Sequence, residues 1–232
     1  MKWSLYERLQ TLSAAGNSAA VVTRLSDGAQ TLFDGDRWEG DVELADEQRK
    51  TVHGMLIANR SGMLAGTDDL FVRSYARPPR LVVVGAAHIS QALAPMAAIA
   101  GFEVIVIDPR RAFASADRFP GVTLVNAWPE KALEQLKLDA VTAVVTLTHD
   151  PKLDDLALAA ALRSPAFYVG ALGSKRTHAK RVERLTEAGL GGEIARIHAP
   201  VGLDLGGRAP REIAVSILAE VIQVRYRGEA EQ

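Results

Sequence analysis

Short apolar runs alternate with helical stretches along the second and third thirds of the chain. The apolar runs, which are rich in β-branched residues, are Arg80–Val84, Glu103–Ile107, Val122–Val125, Ala143–Thr148 and Phe167–Val169. The stretches with helical spacing are His88–Ala100, Glu130–Leu136, Leu153–Leu162, Lys175–Ala188 and Pro210–Val224. Strands buried on both faces have continuous apolar runs, and helices between them imply right-handed parallel crossovers. The pattern therefore predicts an α/β fold with a doubly wound, mostly parallel, Rossmann-like sheet.

The N-terminal third has a different pattern, with short mixed elements separated by glycines. Ser4 and Glu7 have the spacing of a capping box, which predicts a first helix. Ala19–Leu25 and Ala29–Phe33 flank an Asp-Gly turn and predict a β-hairpin. Apolar positions within Leu44–Ala58 predict an amphipathic helix.

Arg77, Pro78 and Pro79 separate the two patterns, because consecutive prolines bar a helix and force an extended connection. We therefore expect a small α+β N-terminal module at residues 1–76 and a Rossmann-like domain at residues 77–232.

Composition narrows the classes of function. The chain carries 27 basic and 28 acidic side chains, so no global positive field attracts nucleic acid or acidic membranes. Its apolar runs are far shorter than the roughly 20 residues that span a bilayer, and its first residues lack the apolar core of a signal peptide. The absence of cysteine excludes thiolate metal ligands and fits a reducing compartment. We expect a cytoplasmic protein with no metal site of its own, which binds neither nucleic acid nor an integral membrane.

The turn after the first strand of the predicted sheet is the strongest candidate for ligand binding. Gly85 opens an incomplete G-x-G-x-x-G dinucleotide fingerprint, with Ala87 and Ser90 at the second and third glycine positions. Such a turn brings backbone N–H groups at a helix N-terminus close to phosphate oxygens, and His88 on the first helical turn would face the same ligand. Gly85→Asp is therefore expected to abolish binding and leave the fold intact. The alternative is a glycine turn that only packs tightly.

Asp108 and Arg110 follow the second strand of the predicted sheet. A carboxylate at this position can accept hydrogen bonds from a ribose hydroxyl. Arg110 and Arg111 could instead hold an additional phosphate. These residues favour a nucleotide or a nucleotide-like ligand.

His149 ends the fourth predicted strand, at the same sheet edge as Gly85. It could bind a pterin or a phosphate, or it could be a hydrogen-bonded structural residue, and the sequence leaves both interpretations open. Asp150 reads as the N-cap of the next helix. Gly202 and Asp204 lie in a glycine-dense loop that is expected to form a pocket wall.

Gly173, Ser174 and Lys175 lead from the fifth strand into a helix that begins with cations. Cations at a helix N-terminus oppose the macrodipole unless an anion lies nearby, which favours an anion site here. The alternative is that Ser174 caps the helix and the basic residues form a solvated face.

Several passages occur together in a fixed order. They are Pro79–His88, Asp108 with Arg110 and Phe113, Arg118–Pro120, Thr148–Asp150, Tyr168–Lys175, His198–Asp204, and Pro210 with Glu212–Ile217. In this order and spacing, the chain from about Phe71 to Arg227 resembles the Rossmann domain of the xanthine dehydrogenase accessory family, the XdhC/CoxI proteins.

The resemblance implies a chaperone rather than a catalyst. Such a protein binds molybdenum cofactor (molybdopterin), protects it, and assists its sulfuration and insertion into a xanthine dehydrogenase-like molybdoenzyme. That enzyme is the implied partner, with a cysteine desulfurase and a second copy of the chain as further candidates. We expect the cofactor-binding residues to be Gly85, Ala87, His88, Asp108, Arg110, His149, Gly173, Ser174, Lys175, Gly202 and Asp204.

The chain departs from the family pattern in two places. The family typically has Gly-x-Gly-His where this chain has Gly85-Ala86-Ala87-His88. Its usual N-terminal domain carries a glycine-rich segment with a cysteine, so residues 1–76 resemble a shortened or diverged version. Two other functions share the fold. One is an NAD(P)-dependent oxidoreductase, although no Tyr-x-x-x-Lys pair accompanies the loop, and the other is a docking module that binds no cofactor.

Overall fold

The computed structural model describes residues 2–230, and the chain divides into two compact units at residues 1–77 and 78–232. None of the helices among these described residues has the length and apolar character needed to cross a bilayer. Each unit contains a β-sheet of its own.

The N-terminal unit is built on a five-stranded antiparallel sheet with the order β3-β2-β1-β5-β4. Its elements are α1 Trp3–Ala14, β1 Ala19–Arg24, β2 Gln30–Phe33, β3 Trp38–Gly40, α2 Asp46–Ile57, β4 Gly62–Met63 and β5 Leu70–Tyr75. The predicted hairpin is confirmed as β1 and β2, and the predicted second helix as α2. The Ser4 capping box is wrong, because α1 begins at Trp3 with Lys2 as an N-cap that makes no side-chain bond.

Two apolar clusters lie on the opposite faces of this sheet, because successive β1 side chains point in opposite directions. Ala20 and Val22 pack with α2 residues such as Val52. Ala19 and Val21 pack with the buried leucines of α1.

The C-terminal unit is built on a six-stranded parallel sheet. Its elements are β6 Arg80–Val84, α3 His88–Ile99, β7 Glu103–Ile107, β8 Thr123–Val125, α4 Pro129–Leu136, β9 Thr142–Thr146, α5 Pro151–Leu162, β10 Tyr168–Ala171, α6 Lys175–Glu187, a 3₁₀ helix Gly191–Arg196, β11 Ile197–His198 and α7 Pro210–Ala230. The strand order is β11-β10-β9-β6-β7-β8, and every adjacent pair is parallel. The predicted doubly wound Rossmann-like fold is therefore confirmed.

The helices cover both faces of this sheet. Alternate strand residues, such as Leu81 and Val83, pack against α3 and α7. The residues between them, such as Val82 and Val84, pack against α4, α5 and α6. Because the chain leaves β6 toward β7 on one side and later returns to β9 on the other, the strand order reverses between β6 and β9. In open α/β sheets, ligands bind beyond the carboxyl ends of the strands at such a point.

Candidate functional site

The loops that follow β6 and β9 pack tightly against each other at the switch point. Gly85 has a φ of +108°, and a Cβ there would lie 2.6 Å from Thr148 Cγ2 and 3.1 Å from the Thr148 nitrogen. The buried Ser90 hydroxyl donates a hydrogen bond to the Gly85 carbonyl, so the serine at the third glycine position supports the turn. The first glycine of the fingerprint is required here, because any side chain at position 85 would clash with Thr148.

A cleft of about 580 Å³ opens beside this loop, between α3 and the start of α7. Its lining residues are His88, Gln91, Ala92, Ala209, Pro210 and Arg211. Two helix N-termini therefore meet in one cavity. Sequence reasoning found His88 but missed Gln91 and Arg211, although Pro210 had indicated where α7 begins.

The N-terminus of α3 has no compensating negative charge of its own. Its N-cap Ala87 makes no side-chain bond, and its first turn contains no acidic residue. The first N–H groups of a helix lack intrahelical partners and carry a partial positive charge. The N-terminus of α7 differs, because Glu212 accepts bonds of 3.0 Å from the N–H groups of Arg208 and Ala209. The α3 end is thus the one prepared for an external anion.

Asp108 lies inside the protein rather than at the mouth of the site. Its fully buried carboxylate accepts bonds from the Ala86 N–H, the Arg110 N–H and two nitrogens of the Arg110 guanidinium, at 2.8–2.9 Å. Burial alone would raise the pKa of Asp108, but the bonds from Arg110 and Ala86 outweigh it and lower that pKa. The expectation that Asp108 presents its carboxylate to a ribose does not fit this geometry, because its acceptor positions serve the loop itself.

Arg110 belongs to a cation–aromatic cluster in the same loop. Its guanidinium carbon lies 4.5 Å from the Phe113 ring centroid, and that of Arg118 lies 5.7 Å from it. Arg118 also donates to the Gln91 side chain at 2.9 Å, and Gln91 lines the α3–α7 cleft. The half-exposed ring of Phe113 and its two cations are therefore joined to the wall of the cleft.

His149 is exposed and has a φ of +62°, which is uncommon outside glycine. The loop around it is fixed by Thr148, whose hydroxyl donates to buried Asp154 at 2.7 Å and accepts from the Asp150 N–H at 3.0 Å. Burial raises the pKa of Asp154, against the opposing bonds from Thr148. The predicted N-cap role of Asp150 is confirmed by its bond from the Lys152 N–H. The role of His149 toward a ligand stays a prediction.

The predicted Gly173–Lys175 turn is a helix start on the other face of the sheet. Gly173 has a φ of +138°, and Ser174 caps α6 by accepting from the Thr177 N–H at 3.2 Å. Lys175 is exposed and does not line the α3–α7 cleft.

The loop with Gly202 and Asp204 is tied to α7 by a buried network that sequence reasoning missed. Glu220 accepts a bond of 2.5 Å from the Tyr168 hydroxyl and one of 2.7 Å from the Gly202 N–H. Its other oxygen lies 3.1 Å from His198 Nδ1. Burial, and then the neighbouring Glu220, raise the pKa of Tyr168. Asp204 is exposed beyond this anchor.

Within the described part of the chain, no group of three or more histidine and carboxylate side chains could hold a metal ion. The candidate site is a cleft beside the switch-point loop, lined by the starts of α3 and α7 with His88 and Arg211, and connected through Gln91 and Arg118 to the Phe113 cluster.

Comparison with known proteins finds relatives in sequence and in structure. A protein from Bacillus subtilis that is named as a probable subunit of xanthine dehydrogenase is 37% identical over 69% of this chain and 47% of its own length. The molybdenum cofactor insertion chaperone PaoD from Escherichia coli is 36% identical over 65% of this chain and 41% of its own length. The chain thus spans less than half of either relative.

A crystal structure described as a xanthine dehydrogenase from Bacillus halodurans superposes with a TM-score of 0.72 over 97% of this chain and 65% of the other, at 23% identity. This likeness supports the fold. The XdhC Rossmann domain matches residues 81–221, which is more than half of the chain and includes the switch-point cleft. The chain therefore belongs to the XdhC family, as its sequence motifs had indicated.

Proposed function

We propose that this protein binds molybdenum cofactor in the α3–α7 cleft and assists the cofactor's sulfuration or insertion into a xanthine dehydrogenase-like molybdoenzyme. The observation that carries the proposal is the α3 N-terminus, which has no side-chain cap and whose first residue, His88, lines a cleft of about 580 Å³ together with Arg211. The names of the two relatives support the same role, since one is a molybdenum cofactor insertion chaperone and the other is named for xanthine dehydrogenase.

The residues of the cleft fit a phosphorylated pterin. Its anionic phosphate would lie against the free N–H groups after Ala87, where the helix dipole favours negative charge. His88 and Arg211 would add charge-assisted bonds. The flat ring system would lie toward the cluster of Phe113 and Arg118, because aromatic faces and guanidinium groups stack on planar rings. Cofactors of this size suit a cavity in the range of typical ligand pockets.

Asp108 argues against the NAD-dependent form of the oxidoreductase alternative. An NAD site typically has a strand-end carboxylate that accepts bonds from the ribose, whereas an NADP site uses an arginine for the 2′-phosphate. Here that carboxylate is buried and already accepts four bonds, so it has no free position for a ribose hydroxyl. In our proposal, Asp108 positions Arg110 and the Ala86 N–H, and Gly85 shapes the loop.

The partners follow from this role. The molybdoenzyme would receive the cofactor, and a cysteine desulfurase would supply sulfur if the cofactor is sulfurated on this protein. Transfer needs a cargo that can leave, and an open cleft lined by the exposed Arg211 suits reversible binding better than a closed cavity.

The test is cofactor binding by the full chain purified from a molybdate-fed host. Pterin, molybdenum and nicotinamide contents are measured for the wild type, for the double variant His88→Ala, Arg211→Ala, and for the control Arg163→Ala, which removes an exposed cation outside the cleft. We expect pterin and molybdenum in the wild type and the control. The double variant should bind at least about a hundredfold more weakly, because it loses two bonds from charged groups that are each worth ~1.5–3 kcal/mol. Equal binding by all three proteins would contradict the cleft assignment, and tight nicotinamide binding with turnover would favour the oxidoreductase.

A further inference from the structure

A second, smaller cavity lies on the opposite face of the sheet, between α5 and α6. It has a volume of about 180 Å³ and is lined by Pro151 at the start of α5 and by Arg176, Thr177, Lys180 and Arg184 of α6. We call this cavity the α5–α6 groove. It is smaller than the roughly 300 Å³ at which pockets for larger ligands begin, so it suits a small group.

The groove has an excess of positive charge. Arg184 is paired with Asp155 of α5, with 2.5 Å between Nε and Oδ2. Arg176 and Lys180 are exposed, and among the described residues neither forms an ion pair. Its lining contains no carboxylate, and Thr177 contributes a hydroxyl. Two cations one helical turn apart are thus left without a counter-charge.

A buried arginine of α6 near the groove has unused hydrogen-bond donors. Arg181 is 2% exposed, and its Nη2 donates to the Leu172 carbonyl at 2.9 Å. Its nearest carboxylates, Asp154 and Asp155, lie at 3.8 and 4.0 Å, beyond hydrogen-bond distance. Within the described residues, its Nε and Nη1 have no hydrogen-bond partner. Buried donors are normally satisfied, so two unsatisfied N–H groups on one guanidinium require an explanation.

The helix places Arg181 at the groove. Thr177 and Arg184, which line the groove, are four residues before and three residues after Arg181, so the three side chains share one face of α6. Its contacts with Asp154 and Asp155 lie on the α5 side of the same face. Arg181 therefore lies beside the lining residues of the groove, toward α5, and is not itself one of them.

Charge and geometry together indicate what the groove binds. The lining carries three cations, at positions 176, 180 and 184, and because only Arg184 is paired, with Asp155, two positive charges have no ion-pair partner among the described residues. A doubly charged tetrahedral oxyanion would balance this surplus and accept bonds from several donors at once. It would also offset the cations in the first turn of α6, which otherwise oppose the helix dipole.

We propose that the α5–α6 groove is a binding site for a phosphate dianion, either inorganic phosphate or the phosphate of a small monoester. The site is separate from the α3–α7 cleft, because the two lie on opposite faces of the sheet. The proposal therefore does not depend on cofactor binding.

The test is a titration of the full chain with inorganic phosphate and with glycerol phosphate, followed by calorimetry and by thermal melting at fixed ionic strength, since exposed charges are screened by salt. The variants are Arg176→Ala, Lys180→Ala and the double variant. Lys131→Ala is the control, because it removes an exposed cation of α4. Arg211→Ala separates this groove from the α3–α7 cleft.

We expect saturable phosphate binding that raises the melting temperature of the wild type, the Lys131→Ala control and Arg211→Ala alike. The single variants should bind about tenfold more weakly, and the double variant should lose the stabilisation by phosphate. All variants should melt near the wild type without phosphate, since both side chains are exposed. The ratio of the two affinities tells whether free phosphate or an ester is preferred, and tight binding of either supports the site. No binding by the wild type, or equal binding by the double variant, would overturn the proposal.

Discussion

Asp108 organises the loops of the switch point although it touches no solvent. It holds the Ala86 N–H at the end of β6 and clamps Arg110 in the loop after β7, so one carboxylate fixes two sides of the site. A residue in this position affects the ligand only through the groups that it orients.

We expect Asp108→Asn to lower the free energy of unfolding by on the order of 2 kcal/mol at pH 7, because bonds between ionised groups are lost. The pKa of Asp108 is lowered from its ordinary 3.8 in the folded protein, so the ionised carboxylate stabilises the fold above that pH. This contribution disappears as the pH falls through the folded-state pKa, and the variant and wild type should then converge. Urea unfolding between pH 7 and pH ~3 measures the difference, with exposed Asp117→Asn as the control. A difference that stays constant over this range would contradict the assignment.

Gly85 is a second residue whose role is set by its neighbours. We expect Gly85→Ala to destabilise the protein by ~2 kcal/mol or more, because a side chain at φ +108° is strained and its Cβ meets Thr148. Gly192→Ala is the matched control, since nothing lies within 4 Å of a Cβ there, and it should change stability by less than ~0.5 kcal/mol. Thermal melts of both variants decide the matter. The expectation that Gly85→Asp leaves the fold intact is therefore abandoned, because that variant would alter the loop before it altered binding.

At the scale of elements, α7 connects the edge of the sheet to the glycine-dense loop. Its Glu220 accepts the hydroxyl of Tyr168 from β10 and the N–H of Gly202 from the loop, and it faces His198 of β11. Because Tyr168 is 1% exposed, its hydroxyl has no access to water that could replace this carboxylate.

We expect Glu220→Ala to lower the free energy of unfolding by about 2–4 kcal/mol, because two donors would be left without an acceptor in a buried setting. Glu220→Gln should cost less, since an amide oxygen can still accept one of them. Hydrogen exchange at the Gly202 amide should accelerate in both variants. A general loss of stability would accelerate exchange throughout the domain, whereas loss of this anchor should accelerate it in this loop. Glu187→Ala at the exposed end of α6 serves as the control. If Gly202 exchanges at its wild-type rate in Glu220→Ala, the anchoring role is wrong.

Elements with a strong local signal could be predicted from the sequence, and elements that depend on distant contacts could not. Buried parallel strands such as β6 and β9 have continuous apolar centres, Leu81–Val84 and Ala143–Val145, so their runs were visible. β5 was missed because polar Arg73 and Ser74 interrupt it, and the Ser74 hydroxyl donates to the carbonyls of Met55 and Arg60, which are distant in sequence. β11 has two residues and no pattern of its own.

The residues of the candidate site also fall into those that the sequence could predict and those that it could not. Residues that soon follow a strand, such as His88 at the start of α3, could be predicted because parallel strands end at one edge of the sheet. Arg211 could not be predicted, because its place in the cleft depends on the packing of α7 against α3 on the same face of the sheet, and α3 is distant in sequence. The buried state of Asp108 was also invisible, since a strand-end carboxylate looks the same in a sequence whether it binds a ribose or an arginine.

At the scale of the whole molecule, the described core is divided between the two units. Each of the four apolar clusters lies entirely within residues 1–77 or entirely within residues 78–232. Both proposed ligand sites, the α3–α7 cleft and the α5–α6 groove, are lined only by residues of the second unit. A domain with its own core can in principle fold alone.

We therefore expect a fragment of residues 78–232 to fold by itself and to keep both ligand sites. It should show a cooperative thermal transition and the far-ultraviolet circular dichroism of an α/β protein, because its sheet is covered by helices on both faces within the fragment. Phosphate should raise its melting temperature as in the full chain, and Arg176→Ala with Lys180→Ala should remove that shift. The same fragment with Asp108→Asn is the control. It should melt at a lower temperature than the unmodified fragment, which shows that the melting experiment detects a loss of stability. A fragment that stays unfolded, or that folds without binding phosphate while the full chain binds it, would show that the N-terminal unit completes the domain.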